Sequence, residues 1–150
     1  MNWQLKSFSQ LSTSELYTIL KVRQEVFVVE QTCPYLDTDG KDPQALHLVA
    51  WDASSTEAKL CAYARIFIGD AHTPSRIGRV LTANHARGRG LGRELMQRAI
   101  TICQQHAKTQ PIQIGAQVYL RDFYQSLGFI ETSAEYLEDD IPHVDMERAV

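Results

Sequence analysis

The run Arg87-Gly88-Arg89-Gly90-Leu91-Gly92 sets three glycines at alternate positions among arginines, after a strand-like run and just before a helical one. A strand entering a helix through such a loop leaves the first helical N–H groups unpartnered, and glycines let a ligand lie directly against them. The positive end of the helix dipole draws negative charge to the same place. Each glycine costs about 1 kcal/mol of helix stability relative to alanine, and an anion such as a pyrophosphate held on bare backbone offsets that cost. Two other phosphate motifs fail on spelling. A Walker loop needs Lys followed by Ser or Thr after its last glycine, where this chain has Arg93-Glu94. The dinucleotide fingerprint needs G-x-G-x-x-G near an N-terminal strand, where this chain has G-x-G-x-G in mid-sequence. "DTDGKD" is not an EF-hand: with Asp39-Gly40 at positions five and six, Tyr35 and Leu46 fall where acids are required. Its acids either flank a substrate entrance and attract an amine or belong to a solvated loop.

The elements that must hold this loop can be read along the chain. "NWQLKSF" alternates as a short strand. Ser12 and Glu15 have capping-box spacing, and Leu16, Ile19, Leu20, Arg23 and Phe27 follow at helical intervals, which predicts a helix from about Thr13 to about Glu30. "CPYLDTDGKDP" is a breaker-rich loop. "ALHLVAW" and "KLCAYARIFI" form a hairpin across "DASSTEA", and "RIGRVLT" adds a third strand of a meander. From Leu91 to about His106 the apolar period is helical. "PIQIGAQ" is a buried strand, "YLRDFYQSLGF" a short helix closed by Gly128, and "FIETSAEYL" and "IPHVDMERA" are two closing strands. The order β-α-β-β-β-α-β-α-β-β, without repeats or linkers, implies one α/β (α+β) domain over residues 1–150, with a mixed sheet and helices on both faces.

Composition narrows the function. A chain of 150 residues with 44% hydrophobic side chains can bury a core as a single domain. Fifteen Lys and Arg against eighteen Asp and Glu give a net charge of -3, so no general positive field exists for nucleic acid or anionic lipid. Cys33, Cys61 and Cys103 form no C-x-x-C pair, which suggests neither a disulfide framework nor a zinc site and fits reduced thiols in a cytoplasm. No apolar run has the length of a signal peptide core or a membrane span, so a soluble, unexported protein is expected.

The glycine loop resembles the acetyl-CoA motif [Q/R]-x-x-G-x-[G/A] of the GCN5-related N-acetyltransferases, with Arg87, Gly90 and Gly92 in register. A second signature of that family, N-x-x-x-x-x-x-Y-x-x-x-G-F, is similar to "QVYLRDFYQSLGF", with Gln117 in the Asn place and Tyr124, Gly128 and Phe129 matching. "VRQEVFVVEQ", "CPYLDTDGKD", "YARI", "IGRV" and "DIPH" resemble the ElaA-type branch of the family, so the likeness covers nearly the whole chain. It implies acetyl-CoA as cosubstrate, no metal, and a primary amine of a small molecule or peptide as acceptor. It also implies that "RVLT" is splayed from the parallel strand "IQIGAQ". Backbone groups of Val80, Leu81 and Thr82 would then pair with the pantetheine arm as an added strand would. The CoA-binding set implied is Val80, Leu81, Thr82, Arg87, Gly88, Arg89, Gly90, Leu91, Gly92, Gln117 and Tyr124. Tyr124 is the implied acid for the leaving thiolate.

The base is where this chain departs from the family. Several members carry a glutamate on the strand before the loop, and "RIGRVLT" has no acid. Glu30 and His47 are the leading candidates, with Asp37, Asp39 and His143 behind them. Arg65 and Arg79 either meet a substrate carboxylate or pair with Glu30, Asp37 or Asp39. A homodimer, a non-catalytic CoA-binding regulator on the same scaffold, and an acyltransferase for longer acyl groups all remain open at this point.

Overall fold

A computed structural model describes residues 1–54 and 56–150. The expected 52–58 connection contains Ser55, which lies outside the described residues. The elements run β1 (Asn2–Ser7), α1 (Thr13–Arg23), β2 (Leu46–Asp52), β3 (Lys59–Phe67), β4 (Ser75–Thr82), α2 (Leu91–His106), β5 (Ile112–Gln117), α3 (Arg121–Gln125), β6 (Ile130–Glu131), β7 (Tyr136–Glu138) and β8 (Ile141–Arg148). The strands form one mixed sheet in the order β1-β2-β3-β4-β5-β8-β6, with β7 also paired to β8.

Alternation along the strands assigns the two faces. Leu48, Ala50, Ala62, Ala64, Ile66, Ile112, Ile114 and Ala116 meet Leu95, Met96, Ala99, Ile100 and Cys103 of α2 on one face. Val49, Trp51, Tyr63 and Leu81 meet Ile19 on the other. The long apolar stripe of α2 thus has one sheet face to bury, and α1 takes the opposite one.

α1 opens on the capping box read from the sequence: Ser12 Oγ accepts from the Glu15 amide at 3.1 Å, and Glu15 accepts from the Ser12 amide at 2.9 Å. The helix does not continue in α form to Glu30. It ends at Arg23, and Gln24–Glu30 winds as a π-helix. Four consecutive apolar residues, Val26 to Val29, hide that change from any periodicity. The wider turn keeps Val26 in the buried cluster with Ile19 while delivering Glu30 and Gln31 to a cleft in the sheet. The first closing segment is also not one strand. Between β6 and β7 the ladder breaks: the Asp145 amide donates to Ser133 Oγ at 2.9 Å, so a side chain replaces a backbone acceptor.

The sheet is split at its one parallel pair. β4 and β5 are in register only at Ser75–Ile112 and Arg76–Gln113, then diverge. On its other edge β4 carries a bulge: Arg65 pairs with Gly78 and Tyr63 with Leu81, leaving one extra residue in β4, and Arg79 sits at φ +50°. The bulge turns the upper half of β4 away from β5. Across the gap β5 is held instead by β8, from Ile112–Arg148 to Gln117–His143.

Candidate active site

The gap between β4 and β5 opens into a cleft of about 960 Å³, running from the glycine loop to the side of the sheet that faces α1. At the loop end, Gly88 and Gly90 adopt φ of +80° and +73°, and a side chain added at either would meet nothing within 4 Å. Both are conformations that favour glycine, and both leave the backbone open. Gly90 caps α2 without any side-chain hydrogen bond, so the amides of the first turn face an unfilled approach. Gly92 and Arg87 line the cleft itself, as do Val80, Leu81 and Thr82 along β4. Gly88, Arg89, Gly90 and Leu91, between Arg87 and Gly92 in sequence, are not among the lining residues.

Across the gap stand Gln117 and Tyr124. α3 is positioned by Tyr124 and Phe129, which pack edge to face at 6.1 Å in the main core. Tyr124 is nearly buried, and burial pushes its phenol up to about 12, so it carries its proton at neutral pH. Among the described residues its hydroxyl has no protein hydrogen-bond partner. A protonated, unengaged O–H in a cleft is a donor waiting for an acceptor.

The end of the π-helix bridges both lips. Glu30 accepts from both terminal nitrogens of Arg87, at 2.7 and 3.0 Å, and its hydrogen bond to that guanidinium holds the carboxyl below its usual range. Its neighbour Gln31 accepts from Gln117 Nε2 at 3.0 Å. Gln31 closes the run VRQEVFVVEQ but does not stand out as a site residue, because an uncharged residue after a helix reads as surface.

Arg65, Arg79, Asp37 and Asp39 come together in one ion cluster with two further members, Arg23 and Asp42. Arg23, fully buried, reaches Asp37 at 2.8 Å and Asp42 at 2.7 Å. Arg65 grips Asp39 through both terminal nitrogens at 2.8 Å and Asp42 at 3.0 Å. Arg79 Nε lies 2.8 Å from Asp37, whose carboxylate also accepts from the Tyr35 hydroxyl. Three positive and three negative groups balance, and they pin the breaker-rich loop to β3 and β4. Arg65, Arg79 and Asp39 line the cleft, while Asp37 lies behind it. The missed sequence signal was Arg23, a charge standing on an otherwise apolar helical stripe.

His47 is outside the cleft lining and buried. Its Nδ1 is 2.7 Å from the Tyr63 hydroxyl and its Nε2 is 3.0 Å from the Asp42 carbonyl, and burial lowers its pKa. Both ring nitrogens are occupied by the cluster's support. His143 does line the cleft, as do Glu138 at the end of β7 and Asp139 in the turn that follows. The three cysteines are buried, free thiols. Only Cys33 reaches the cleft, and burial together with Asp139 and Asp140 raises its thiol pKa. Among the described residues no group of three or more His, Cys, Asp or Glu is arranged to hold a metal ion, and no helix is long and apolar enough to cross a membrane.

Comparison with known proteins matches this geometry to a family. Residues 23–150 match the model of the acetyltransferase (GNAT) domain. The chain belongs to the GNAT acetyltransferase family. It is 42% identical over 153 residues to protein ElaA of Escherichia coli, covering 100% of this chain and 97% of that protein. The crystal structure of E. coli ElaA superposes with a TM-score of 0.90, covering 99% of each chain. A structure described as an acyl-CoA N-acyltransferase from Pseudomonas aeruginosa is 41% identical, with a TM-score of 0.91 and 99% of each chain covered. The GNAT sheet, with its parallel pair parted, is therefore the scaffold, and the cleft described above is its central opening.

The ion cluster gives a stability test. Arg23→Met leaves Asp37 and Asp42 buried without their main counter-ion and is expected to cost about 3–5 kcal/mol in urea unfolding. Hydrogen bonding from Arg65 holds the Asp39 carboxyl well below the usual range, and Arg23 and Arg65 hold Asp42 below it against the opposing effect of burial. Carboxylates depressed in the folded state contribute stability that is present above their unfolded value of about 3.9 and is lost as pH falls through the folded one. Unfolding free energy should therefore drop as pH is lowered from about 5. The drop should be shallower in an Asp39→Asn variant.

Proposed function

We propose that this protein transfers an acyl group, acetyl first among them, from acyl-CoA directly to a primary amine of a small molecule or peptide. The observation that carries the reading is the parted β4–β5 pair: an open strand edge that leads from an anion-ready glycine loop to a protonated, unengaged tyrosine. The diphosphate of CoA suits the Gly88–Gly92 backbone and the first-turn amides of α2, with Arg87 beside them. Val80, Leu81 and Thr82 offer the pantetheine amides a strand to pair with, and Gln117 offers an amide from the opposite lip. Fixed N–H donors near the thioester carbonyl would stabilise the developing oxyanion, worth about 3 kcal/mol per donor in related chemistry.

Tyr124 has a specific task in this reading. A thiol of ordinary acidity, near 8.5, is a stronger acid than a phenol pushed up to about 12. Tyr124 therefore supports the departing thiolate by donating a strong hydrogen bond, rather than by giving its proton away outright. Direct attack by the amine is favoured over an acyl-enzyme because each cysteine is buried and Cys33, the one at the cleft, is held as a thiol.

The acids of the loop at 37–42 are spoken for. With Asp37, Asp39 and Asp42 neutralised by arginines, they serve to build the acceptor wall rather than to recruit an amine. Glu30, bound to Arg87, is a poor proton acceptor as it stands.

The deciding experiment is a thiol-release screen with acetyl-CoA and longer acyl-CoAs against polyamines, amino acids, aminoglycosides and peptide amines. Release with sequential kinetics supports the proposal; tight CoA binding with no release from any pair favours a non-catalytic CoA-binding regulator. Gly92→Val is the cleanest probe of the CoA site. A Cβ added there comes no nearer to a neighbouring element than 3.7 Å, from Thr82 Oγ1, whereas a substitution at Gly90 would strain the backbone. Calorimetry should find acetyl-CoA binding lost in a folded Gly92→Val protein, and unchanged affinity would remove the assignment. Tyr124→Phe should lower kcat by about 10²-fold while acetyl-CoA affinity stays nearly intact. Wild-type turnover in that variant would leave Tyr124 a packing residue.

A further inference from the structure

Acyl transfer to an alkylamine needs a group that removes a proton from the ammonium form, and β4 supplies none. The groups lining or backing the acceptor side differ sharply in whether a proton-accepting atom is free. Glu30 is held by both terminal nitrogens of Arg87, and Asp39 by both of Arg65. Asp37 is enclosed by Arg23, Arg79 and Tyr35. His47 has both ring nitrogens occupied and does not reach the cleft.

His143 is built differently. It sits near the start of β8, paired with Gln117 where β5 ends, at the opposite end of β5 from its two pairs with β4. Its Nδ1 lies 2.7 Å from the Ile141 carbonyl oxygen. A carbonyl can only accept, so Nδ1 carries the hydrogen and the neutral ring's lone pair is on Nε2. The ring is kept in place by stacking on Tyr136 of β7, centroids 6.0 Å apart and planes inclined by 21°. Tyr136 is itself tied to Asp145 of β8 at 2.6 Å. Beside Nε2, at 3.7 Å, is the half-exposed carboxylate of Glu138. Both His143 and Glu138 line the cleft.

Building on the acyl-transfer reading, the geometry points to His143 as the catalytic base, with Nε2 as the accepting atom and Glu138 as the carboxylate that draws the ammonium to it. The ammonium gives one proton to Nε2, and the adjacent Glu138 carboxylate stabilises the imidazolium. The freed nitrogen lone pair forms the C–N bond at the thioester carbonyl, and collapse breaks the C–S bond, the electron pair leaving on sulfur. The remaining surplus N–H proton ends on that sulfur, where the Tyr124 hydroxyl donates its hydrogen bond. His143 then returns its proton to solvent, so each turnover yields amide, CoA thiol and one proton. Such a base is no longer a strand glutamate but a histidine two positions into the closing strand, reached from the other lip of the same cleft.

The test compares two acceptors with acetyl-CoA at neutral pH: benzylamine, which is protonated there, and hydroxylamine, whose nitrogen is not. In His143→Asn, which retains an N–H donor near the Nδ1 position, benzylamine-dependent thiol release should fall by about 10²-fold or more. Hydroxylamine-dependent release should change only a few-fold, and acetyl-CoA affinity should be unchanged. His143→Gln, run in parallel, supplies the measurement if the asparagine variant does not fold. Glu138→Gln should raise KM for benzylamine more than it lowers kcat. Equal losses with both acceptors, or no loss with either, would overturn the base assignment while acyl transfer itself stands. A wild-type protein that uses hydroxylamine but not benzylamine would overturn it as well. Absence of thiol release from the wild type with every amine would instead sink the acyl-transfer reading, and this inference with it.

Discussion

A parallel strand pair that stops pairing after two residue positions leaves backbone donors and acceptors facing a gap in the middle of a sheet. Buried backbone groups without partners are costly, and folded proteins rarely retain them. Here the divergence of β4 from β5 is enforced rather than accidental. The extra residue at Arg79 turns β4 away on its β3 edge, and β8 takes over the support of β5 on the far side. What remains is an opening whose walls are polar backbone and whose floor is the Ser75–Ile112 contact. Every candidate functional group is placed by that opening. The glycine loop closes its upper end, and on the lip opposite β4 α3 brings Tyr124 while the paired strands β7 and β8 bring Glu138 and His143.

The ion cluster solves a second problem that the opening creates. One wall must be made by the loop between the π-helix and β2, which has almost no regular structure and carries Pro34, Gly40 and Pro43 among its acids. Hydrophobic contact could not fix such a chain in one position. Arg23 and Arg65 do so by directional, paired hydrogen bonds to Asp37, Asp39 and Asp42, and Arg79 adds an ion pair to Asp37. Burying six charges brings little net stability over an apolar alternative. Its value lies in geometry: the wall is placed, and it presents to the cleft arginines whose charge is already matched. That also explains why net charge said so little about the acceptor. The visible acids and bases of the segment cancel one another before any ligand arrives.

Most of the scaffold was legible because its signals are local. The Ser12–Glu15 capping box, the apolar stripe from Leu91 to Cys103 and the alternation in β2 and β3 each name an element without knowledge of its neighbours. The glycine loop was legible for the same reason, since positive φ at Gly88 and Gly90 and an uncapped helix start are properties of the chain itself. The π-helical turn was not, because Val26 to Val29 are apolar whichever way the helix winds. The break between β6 and β7 depends on Ser133 meeting Asp145, twelve positions away. Roles at the candidate site were the least legible. His47 and His143 look equivalent as strand histidines in sequence. They are told apart only by what reaches their ring nitrogens: a tyrosine and a backbone carbonyl at one, a backbone carbonyl and, at the cleft, the Glu138 carboxylate at the other.

The central claim is that an acyl-CoA arm completes the parted sheet along β4 while its diphosphate rests on the glycine loop. Residue-resolved amide hydrogen exchange, measured with and without CoA, tests it most directly. Exchange should slow at the amides within Val80–Thr82 that β3 does not engage and at those of Gly88–Arg93, with β1 and β2 unchanged. If CoA binds and those two stretches exchange at their original rates, the cleft between β4 and β5 is not where it lies.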